Sequence, residues 1–252
     1  MIQSYKRPKT LEEAIELLSR TDVRYVPIGG GSKVSRVRDE NIGVVDLQSL
    51  GLDRTVSHGN HLSIGATVTL ETLSRTEEIP MGLKKAIYLE GAANLRNQAT
   101  IAGALMSAEG RSPFAAAMVA LDTEMIWQPG DVVSNLGDWM AARISAGKLI
   151  TSMRIPIHTS LALESVARSP LDRPLVLVAL SRWPSGRTRI VLGGWGNEPK
   201  LAFDGPDAGG AVEAVKDALS RAEDAWASVE YRQDTAATLV ARILDPDHRA
   251  GG

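Results

Sequence analysis

The sequence predicts an α+β fold in two parts. In the first part, segments with the hydrophobic spacing of helices alternate with short segments rich in β-branched residues, which are typical of strands. In the second part, the predicted strands come first and the predicted helices follow. Between the two parts, residues 156–160 interrupt both patterns. We therefore predict a first domain over residues 1–157 and a second domain over residues 158–252.

The first part begins with a helix that starts near Thr10. Thr10 and Glu13 have the spacing of a capping box, and apolar residues recur behind them at helical spacing. The next element is a strand over residues 24–28, which three glycines terminate. The remaining elements of this part are strands at 43–47, 62–66, 124–127 and 149–155, and helices at 70–75, 81–90 and 113–121.

The second part contains four predicted strands followed by two predicted helices. Each strand is a short apolar run between turn residues, and each helix has apolar residues on one face. The strands are predicted at residues 161–166, 175–180, 188–192 and 201–203, and the helices at 211–223 and 229–243.

Composition excludes several classes of function. The 252 residues carry 28 basic and 30 acidic side chains, a net charge of −2, so nucleic acid is not an expected partner. The chain has no cysteine, which excludes disulfides, cysteine nucleophiles and iron–sulfur ligation by this chain. The N-terminal segment is charged and no long apolar run follows, so we expect a cytoplasmic protein without membrane insertion.

A glycine loop follows the predicted strand at residues 24–28. Gly29, Gly30 and Gly31 offer backbone amides without Cβ atoms, and such amides can bind phosphate oxygens. The loop lacks the glycine-lysine-serine ending of a Walker loop. It also lacks the third glycine of the dinucleotide fingerprint, because Val34 stands there. By itself the loop is also compatible with a simple tight turn.

A second segment, residues 95–105, carries a more specific signal. Its sequence, Leu-Arg-Asn-Gln-Ala-Thr-Ile-Ala-Gly-Ala-Leu, resembles the Ile-Arg-Asn-x-Ala-Thr-Ile-Gly-Gly-Asn-Leu motif of the FAD-binding subunits of molybdenum hydroxylases. This family includes the medium subunit of aerobic carbon monoxide dehydrogenase and the flavin domain of xanthine dehydrogenase. The glycine loop and the stretch at residues 64–69 also match the family in order and spacing. The resemblance extends over nearly the whole chain.

The resemblance implies a fold and a cofactor. The fold implied is a two-part FAD-binding region of the vanillyl-alcohol oxidase-like (PCMH) type, with subdomains of about 1–54 and 55–157, followed by a small α+β domain of the CO dehydrogenase flavoprotein type over residues 158–252. FAD is held noncovalently, its pyrophosphate by the glycine loop, and Thr100, Gly103 and Ile150 also match positions that contact the cofactor. The loop residues concerned are Ile28, Gly29, Gly30, Gly31, Ser32, Lys33 and Val34.

Several positions depart from the family pattern. Lys33 stands where an acidic residue is usual, and Ala102 and Ala104 replace a glycine and an asparagine. Pro113 stands where relatives carry an aspartate that faces the ribityl chain of FAD. These departures predict weaker, but not abolished, FAD binding.

The function implied is that of the flavoprotein subunit of a heterotrimeric molybdenum hydroxylase. A large molybdopterin-binding subunit hydroxylates the substrate, a small subunit with two-iron iron–sulfur clusters carries the electrons, and FAD passes them to an external acceptor. The chain itself then needs no catalytic residue and no metal ligand. Two alternatives stay open: a degenerate member that acts as an assembly scaffold with little or no FAD, and a stand-alone flavin enzyme, for which the chain is short.

Other polar residues are interpreted as structural. The four histidines are scattered and lack the spacing of a metal site. Arg96 and Asn97 are interpreted as an ion-pairing residue and a turn residue that shape the second segment, and the five tryptophans as core or interface residues.

Overall fold

A computed structural model describes residues 2–33, 41–143, 147–170 and 172–245. The strands, in chain order, are β1 (Ile2–Lys6), β2 (Tyr25–Ile28), β3 (Ile42–Asp46), β4 (Thr55–His58), β5 (His61–Gly65), β6 (Glu124–Gln128), β7 (Val132–Asn135), β8 (Leu149–Pro156), β9 (Ser160–Val166), β10 (Val176–Arg182), β11 (Thr188–Gly193) and β12 (Lys200–Gly205). The helices are α1 (Leu11–Leu18), α2 (Leu70–Ser74), α3 (Met81–Glu90), α4 (Ala93–Gln98), α5 (Ile101–Met106), α6 (Pro113–Ala120), α7 (Leu136–Ala142), α8 (Ala211–Ala218) and α9 (Val229–Leu244).

The chain divides into two compact units whose segments interleave. Unit 1 contains Met1–Glu77, Gly91–Ser107 and Glu124–Ile155. Unit 2 contains Glu78–Glu90, Ala108–Thr123 and Pro156–Gly252. The sequence suggested one boundary at 157/158, whereas by packing α3 and α6 belong with the C-terminal segment.

Unit 1 is built on two sheets. The first has the order β1-β3-β2 with parallel pairing, and all five residues of its central strand β3 are buried. Helix α1 packs against it, and Thr10 caps this helix as predicted, since its side chain accepts from the backbone N–H of Glu13. The second sheet has the order β4-β5-β8-β6-β7. The two sheets use residues on opposite sides of residue 54.

Unit 2 is built on an antiparallel sheet with the order β12-β11-β10-β9. Alternate residues of β10, such as Val178 and Leu180, pack in one core with α8 and α9. Helix α6 contacts β10 and β11, and all eight of its residues are buried. Because α6 is apolar on every side, it can exist only as an internal helix.

Each predicted helix and strand has a counterpart in the structure, mostly within one or two residues of the expected bounds. The helix predicted at 211–223 is an exception, since α8 ends at Ala218. The elements without a prediction are β1, β4, β7, α4, α5 and α7. The α+β class is confirmed.

Candidate functional site: two packed loops and a cleft in unit 1

The glycine loop follows β2, whose last residue is Ile28. Gly31 has a φ of +76°, a left-handed conformation that glycine adopts without strain. Gly29 and Gly30 do not have this conformation, and glycine is required at these two positions because of close contacts with other residues.

Those contacts are with the second segment. A Cβ atom on Gly29 would lie 2.7 Å from Thr100 Oγ1, and a Cβ atom on Gly30 would lie 1.5 Å from the carbonyl oxygen of Gln98. Neither position can therefore carry a side chain unless the two segments separate. A side chain at Gly30 would therefore collide with the Gln98 backbone before it could affect a bound phosphate.

Thr100 joins the second segment to the rest of unit 1. It is buried, pairs with Thr69 in an isolated β-bridge, and caps α5, because its Oγ1 accepts from the Gly103 N–H at 3.2 Å. Its neighbours extend this connection: Leu70 N–H donates to Ala99 and Ile101 N–H donates to Val68, at 2.9 and 2.8 Å. The backbone around Thr100 is thus fixed on both sides.

A polar cavity of about 730 Å³ lies along the two packed segments. Its wall consists of glycine backbone, hydroxyl and carboxamide side chains, one valine and one carboxylate. The lining residues are Gly29, Gly30, Gln48, Asp53, Thr67, Val68, Thr69, Thr72, Asn97, Gln98 and Thr100.

A second cavity, of about 230 Å³, adjoins the first and is largely apolar. The two share Gly29, Thr67 and Thr100 in their linings, so together they form one cleft. The second cavity is lined by Pro27, Gly29, Leu47, Ala66, Thr67, Thr100, Ala102, Gly103, Met106, Trp127, Lys148, Leu149 and Ile150.

An ion pair between Arg96 and Glu71 stabilises the second segment. Arg96 Nε donates to Glu71 Oε2 at 2.9 Å, and Arg96 Nη1 donates to the carbonyl of Gly91 at 2.8 Å. Hydrogen bonds from Arg96 and then Arg75 hold the pKa of Glu71 below its usual value. Arg96 therefore has the structural, ion-pairing role that the sequence predicted, whereas Asn97 also reaches the cavity wall.

A buried carboxylate, that of Asp46, positions Gln48. Asp46 ends β3 and accepts a hydrogen bond from the Gln48 N–H at 2.9 Å. Burial alone raises the pKa of Asp46, but hydrogen bonds from Tyr5, the Gln48 backbone and Arg7 outweigh it, so the pKa lies below its usual value. The charged Asp46 fixes the turn that carries Gln48 to the cavity.

The structure brings together some of the predicted site residues. Gly29, Gly30, Thr100, Gly103 and Ile150 line the cleft, although they come from three separate parts of the chain. The linings of these two cavities, within the described part of the chain, do not include Ile28, Gly31, Ser32 or Lys33. Val34 lies outside the described residues.

Sequence reasoning missed most of the polar wall. Thr67 and Thr69 belong to the stretch that resembles the family at residues 64–69, so this resemblance was a usable signal. Gln48 and Asp53 had none, because they lie in connections between strands of different sheets and reach the cleft only through the fold.

Pro113 belongs to unit 2, where it is buried as the first residue of α6. The carboxylate of Glu90 acts at this helix start, since Glu90 Oε2 accepts from Ser112 Oγ at 2.7 Å and from Phe114 N–H at 3.1 Å. An aspartate at position 113 would add a second carboxylate beside Glu90.

Within residues 2–33, 41–143, 147–170 and 172–245, no group of three or more potential metal-ligating side chains occurs. In the same residues, no helix is both long and apolar enough to span a membrane.

The whole chain was compared with known proteins. Residues 1–158 match the family model described as the FAD binding domain in molybdopterin dehydrogenase. The chain belongs to this family. The resemblance inferred from the motifs is thereby confirmed, and so is FAD as the cofactor.

Relatives and solved structures of this molybdopterin dehydrogenase family are similar to the chain over its length. The Escherichia coli (strain K12) protein YgfM is 29% identical over 259 residues, which cover 100% of this chain and 98% of YgfM. The cyanide-inactivated Cu,Mo-CO dehydrogenase superposes with a TM-score of 0.80 at 23% identity, covering 96% of each chain. Quinoline 2-oxidoreductase from Pseudomonas putida 86 gives a TM-score of 0.77 at 23% identity, covering 96% of this chain and 95% of that one. The predicted fold type is confirmed.

The residues of the cleft fit FAD. A dinucleotide needs an elongated site with unobstructed amides and hydroxyls for its phosphates and apolar surface for its rings. Gly29 and Gly30 carry no side chain into the cleft, and the Thr100 hydroxyl, while accepting from Gly103, still has a proton to donate. Trp127, Leu149 and Ile150 supply apolar surface.

Proposed function

We propose that this chain is the flavoprotein subunit of a multi-subunit molybdenum hydroxylase in the cytoplasm and binds FAD noncovalently in the cleft of unit 1. The observation that carries the proposal is the direct packing of Gly29 and Gly30 on Gln98 and Thr100, with the cleft along that contact. The match to the FAD-binding family supports it.

In this proposal the chain holds and orients the cofactor. The backbone of Gly29 and Gly30 in the glycine loop and the Thr100 hydroxyl bind the phosphates, while Gly103 and Ile150 lie along the remainder of the cofactor. FAD supplies reversible one- and two-electron chemistry when bound. The apolar residues Trp127, Leu149 and Ile150 would exclude water from the part of the cofactor that contacts them.

The partners in this proposal are two. A large subunit with molybdopterin oxidises the substrate, and a small subunit with two-iron iron–sulfur clusters delivers the electrons to FAD. An external acceptor then takes them from FAD. The absence of cysteine from the chain agrees with clusters that are held by a partner.

The experiment is to purify the tagged chain from its native source and to measure flavin, molybdenum and iron. We expect FAD together with molybdenum and iron in one complex, and we expect the flavin and cluster absorbance to bleach together on titration with a reductant. A complex that lacks flavin would contradict the binding proposal. A chain that carries FAD but purifies without molybdenum and iron would contradict the subunit role.

A further inference from the structure

The charges of the cleft are distributed unequally. The described lining of the 230 Å³ cavity contains one ionisable side chain, Lys148. The described lining of the adjoining 730 Å³ cavity also contains one, Asp53. A cation therefore stands in one half of the cleft and an anion in the other.

The position of Lys148 is well defined by its neighbours. It immediately precedes β8, whose first residues Leu149 and Ile150 are buried and line the same cavity. Lys148 itself is exposed. As an exposed residue of the cavity lining, Lys148 can keep its ammonium group in water while its aliphatic stem contacts the cavity.

FAD is anionic mainly at its pyrophosphate, which carries two negative charges. The loop amides offer only partial charges to it, and the chain as a whole has a net charge of −2, so no general basic field attracts the cofactor. Lys148 lines the same cavity as Gly29 and Thr100, and its ammonium group supplies a full positive charge to that cavity. Asp53 repels the same phosphates from the other half.

We propose that Lys148 is the counter-ion of the FAD pyrophosphate and, together with Asp53, sets the direction in which the cofactor lies in the cleft. This inference rests on the proposed FAD function. It assigns Lys148 a positioning and affinity role rather than a catalytic one.

The test compares Lys148→Met and Lys148→Arg with the parent chain in the apo form. Lys9→Met is the matched control, because Lys9 is an exposed lysine of unit 1 outside both cavity linings. The probes are FAD and ADP-ribose, which contains the pyrophosphate but no flavin, in competition for the cleft. Each dissociation constant is measured at low and high salt.

We expect Lys148→Met to raise the dissociation constants of FAD and ADP-ribose by the same factor of about ten at low salt, the scale of one charge-assisted hydrogen bond. This factor should be smaller at high salt, because salt screens the charge interaction. The dissociation constants of Lys148→Arg and Lys9→Met should stay close to those of the parent.

Several results would overturn the inference. One is an unchanged FAD affinity in Lys148→Met. Another is a lower affinity for FAD with an unchanged affinity for ADP-ribose, which would place the lysine at the flavin ring. An equal loss of FAD affinity in Lys9→Met would indicate an effect of net charge alone. Failure of ADP-ribose to compete with FAD in the parent would show that the cleft does not bind the pyrophosphate. A parent that binds no FAD would instead contradict the proposed function itself.

Discussion

At the scale of single residues, the glycine loop is determined by two different physical constraints. Gly31 has a left-handed backbone conformation. At Gly29 and Gly30, Thr100 and Gln98 occupy the space that a side chain would need. The three glycines therefore allow both the turn and the close packing of the glycine loop on the second segment. Substitutions in the loop should affect folding and FAD binding together.

We expect Gly30→Ala to weaken FAD binding and to destabilise the protein by about 1–3 kcal/mol, because its methyl group would overlap the Gln98 carbonyl. Denaturant unfolding and FAD titration measure the two effects. Gly59→Asn is the control, since Gly59 has a φ of +58°, which asparagine tolerates, and open space around it. Parent-like stability and affinity in Gly30→Ala would show that the two loops are not in contact.

A second prediction concerns pH. The pKa of Glu71 is lowered in the folded state by Arg96, so its stabilising effect is complete above the unfolded pKa of about 4.3 and is lost as the pH falls through the folded value. Glu71→Gln should therefore lower the melting temperature at neutral pH, and this difference should narrow at acidic pH.

The measurement is a series of thermal melts at decreasing pH for the parent, Glu71→Gln and Glu12→Gln. Glu12 is an exposed carboxylate of α1 and controls for loss of one negative charge. A difference between parent and Glu71→Gln that stays constant with pH would contradict the assignment.

At the scale of elements, α4 and α5 turn the second motif into a rigid support for the cleft. Each has six residues, so neither is stable alone, and the β-bridge between Thr69 and Thr100 fixes their junction. The connection depends on the Thr100 side chain, which both caps α5 and contacts the glycine loop.

Thr100→Val should cost about 1 kcal/mol of stability, because the cap to Gly103 is lost while the volume is kept, and it should also weaken FAD binding. Thr100→Ser keeps the hydroxyl and should retain most of both properties. Chemical denaturation and FAD titration measure them. If Thr100→Val binds FAD as the parent does, the hydroxyl makes no contact with the cofactor.

The strands that could not be predicted from the sequence share a physical reason. β1 is mostly exposed and is held by parallel pairing with β3, which lies far along the chain. β4 and β7 are short polar or exposed strands stabilised by their antiparallel neighbours. Local propensity carries little information on such pairing, whereas α1 and α3 have helical patterns strong enough to give their starts correctly.

At the scale of the whole molecule, the compact units are not continuous in sequence, since unit 2 includes two segments from the N-terminal half of the chain. Motif resemblance predicted the family, the cofactor and the fold, but periodicity could not show that α3 and α6 leave the FAD-binding segment to join unit 2. Such long-range packing depends on which apolar faces meet, and α6 is apolar on every face.

A fragment of residues 1–157 should therefore fail to fold into a stable monomer. It would contain α3 and α6 without β9, β10 and β11, the strands that they contact, and would expose the apolar residues of α6. Gel filtration and thermal melts of the fragment and the full chain test this. A monomeric fragment with a cooperative melt would show that α3 and α6 do not depend on the C-terminal segment of unit 2.

The central claim is that the cleft in unit 1 holds noncovalent FAD. The most direct test is to precipitate the purified full-length protein with acid and to identify the flavin in the supernatant by chromatography. We predict that FAD is released and that little flavin stays with the polypeptide. Flavin that remains attached to the precipitate, FMN in place of FAD, or no flavin at all would contradict the account.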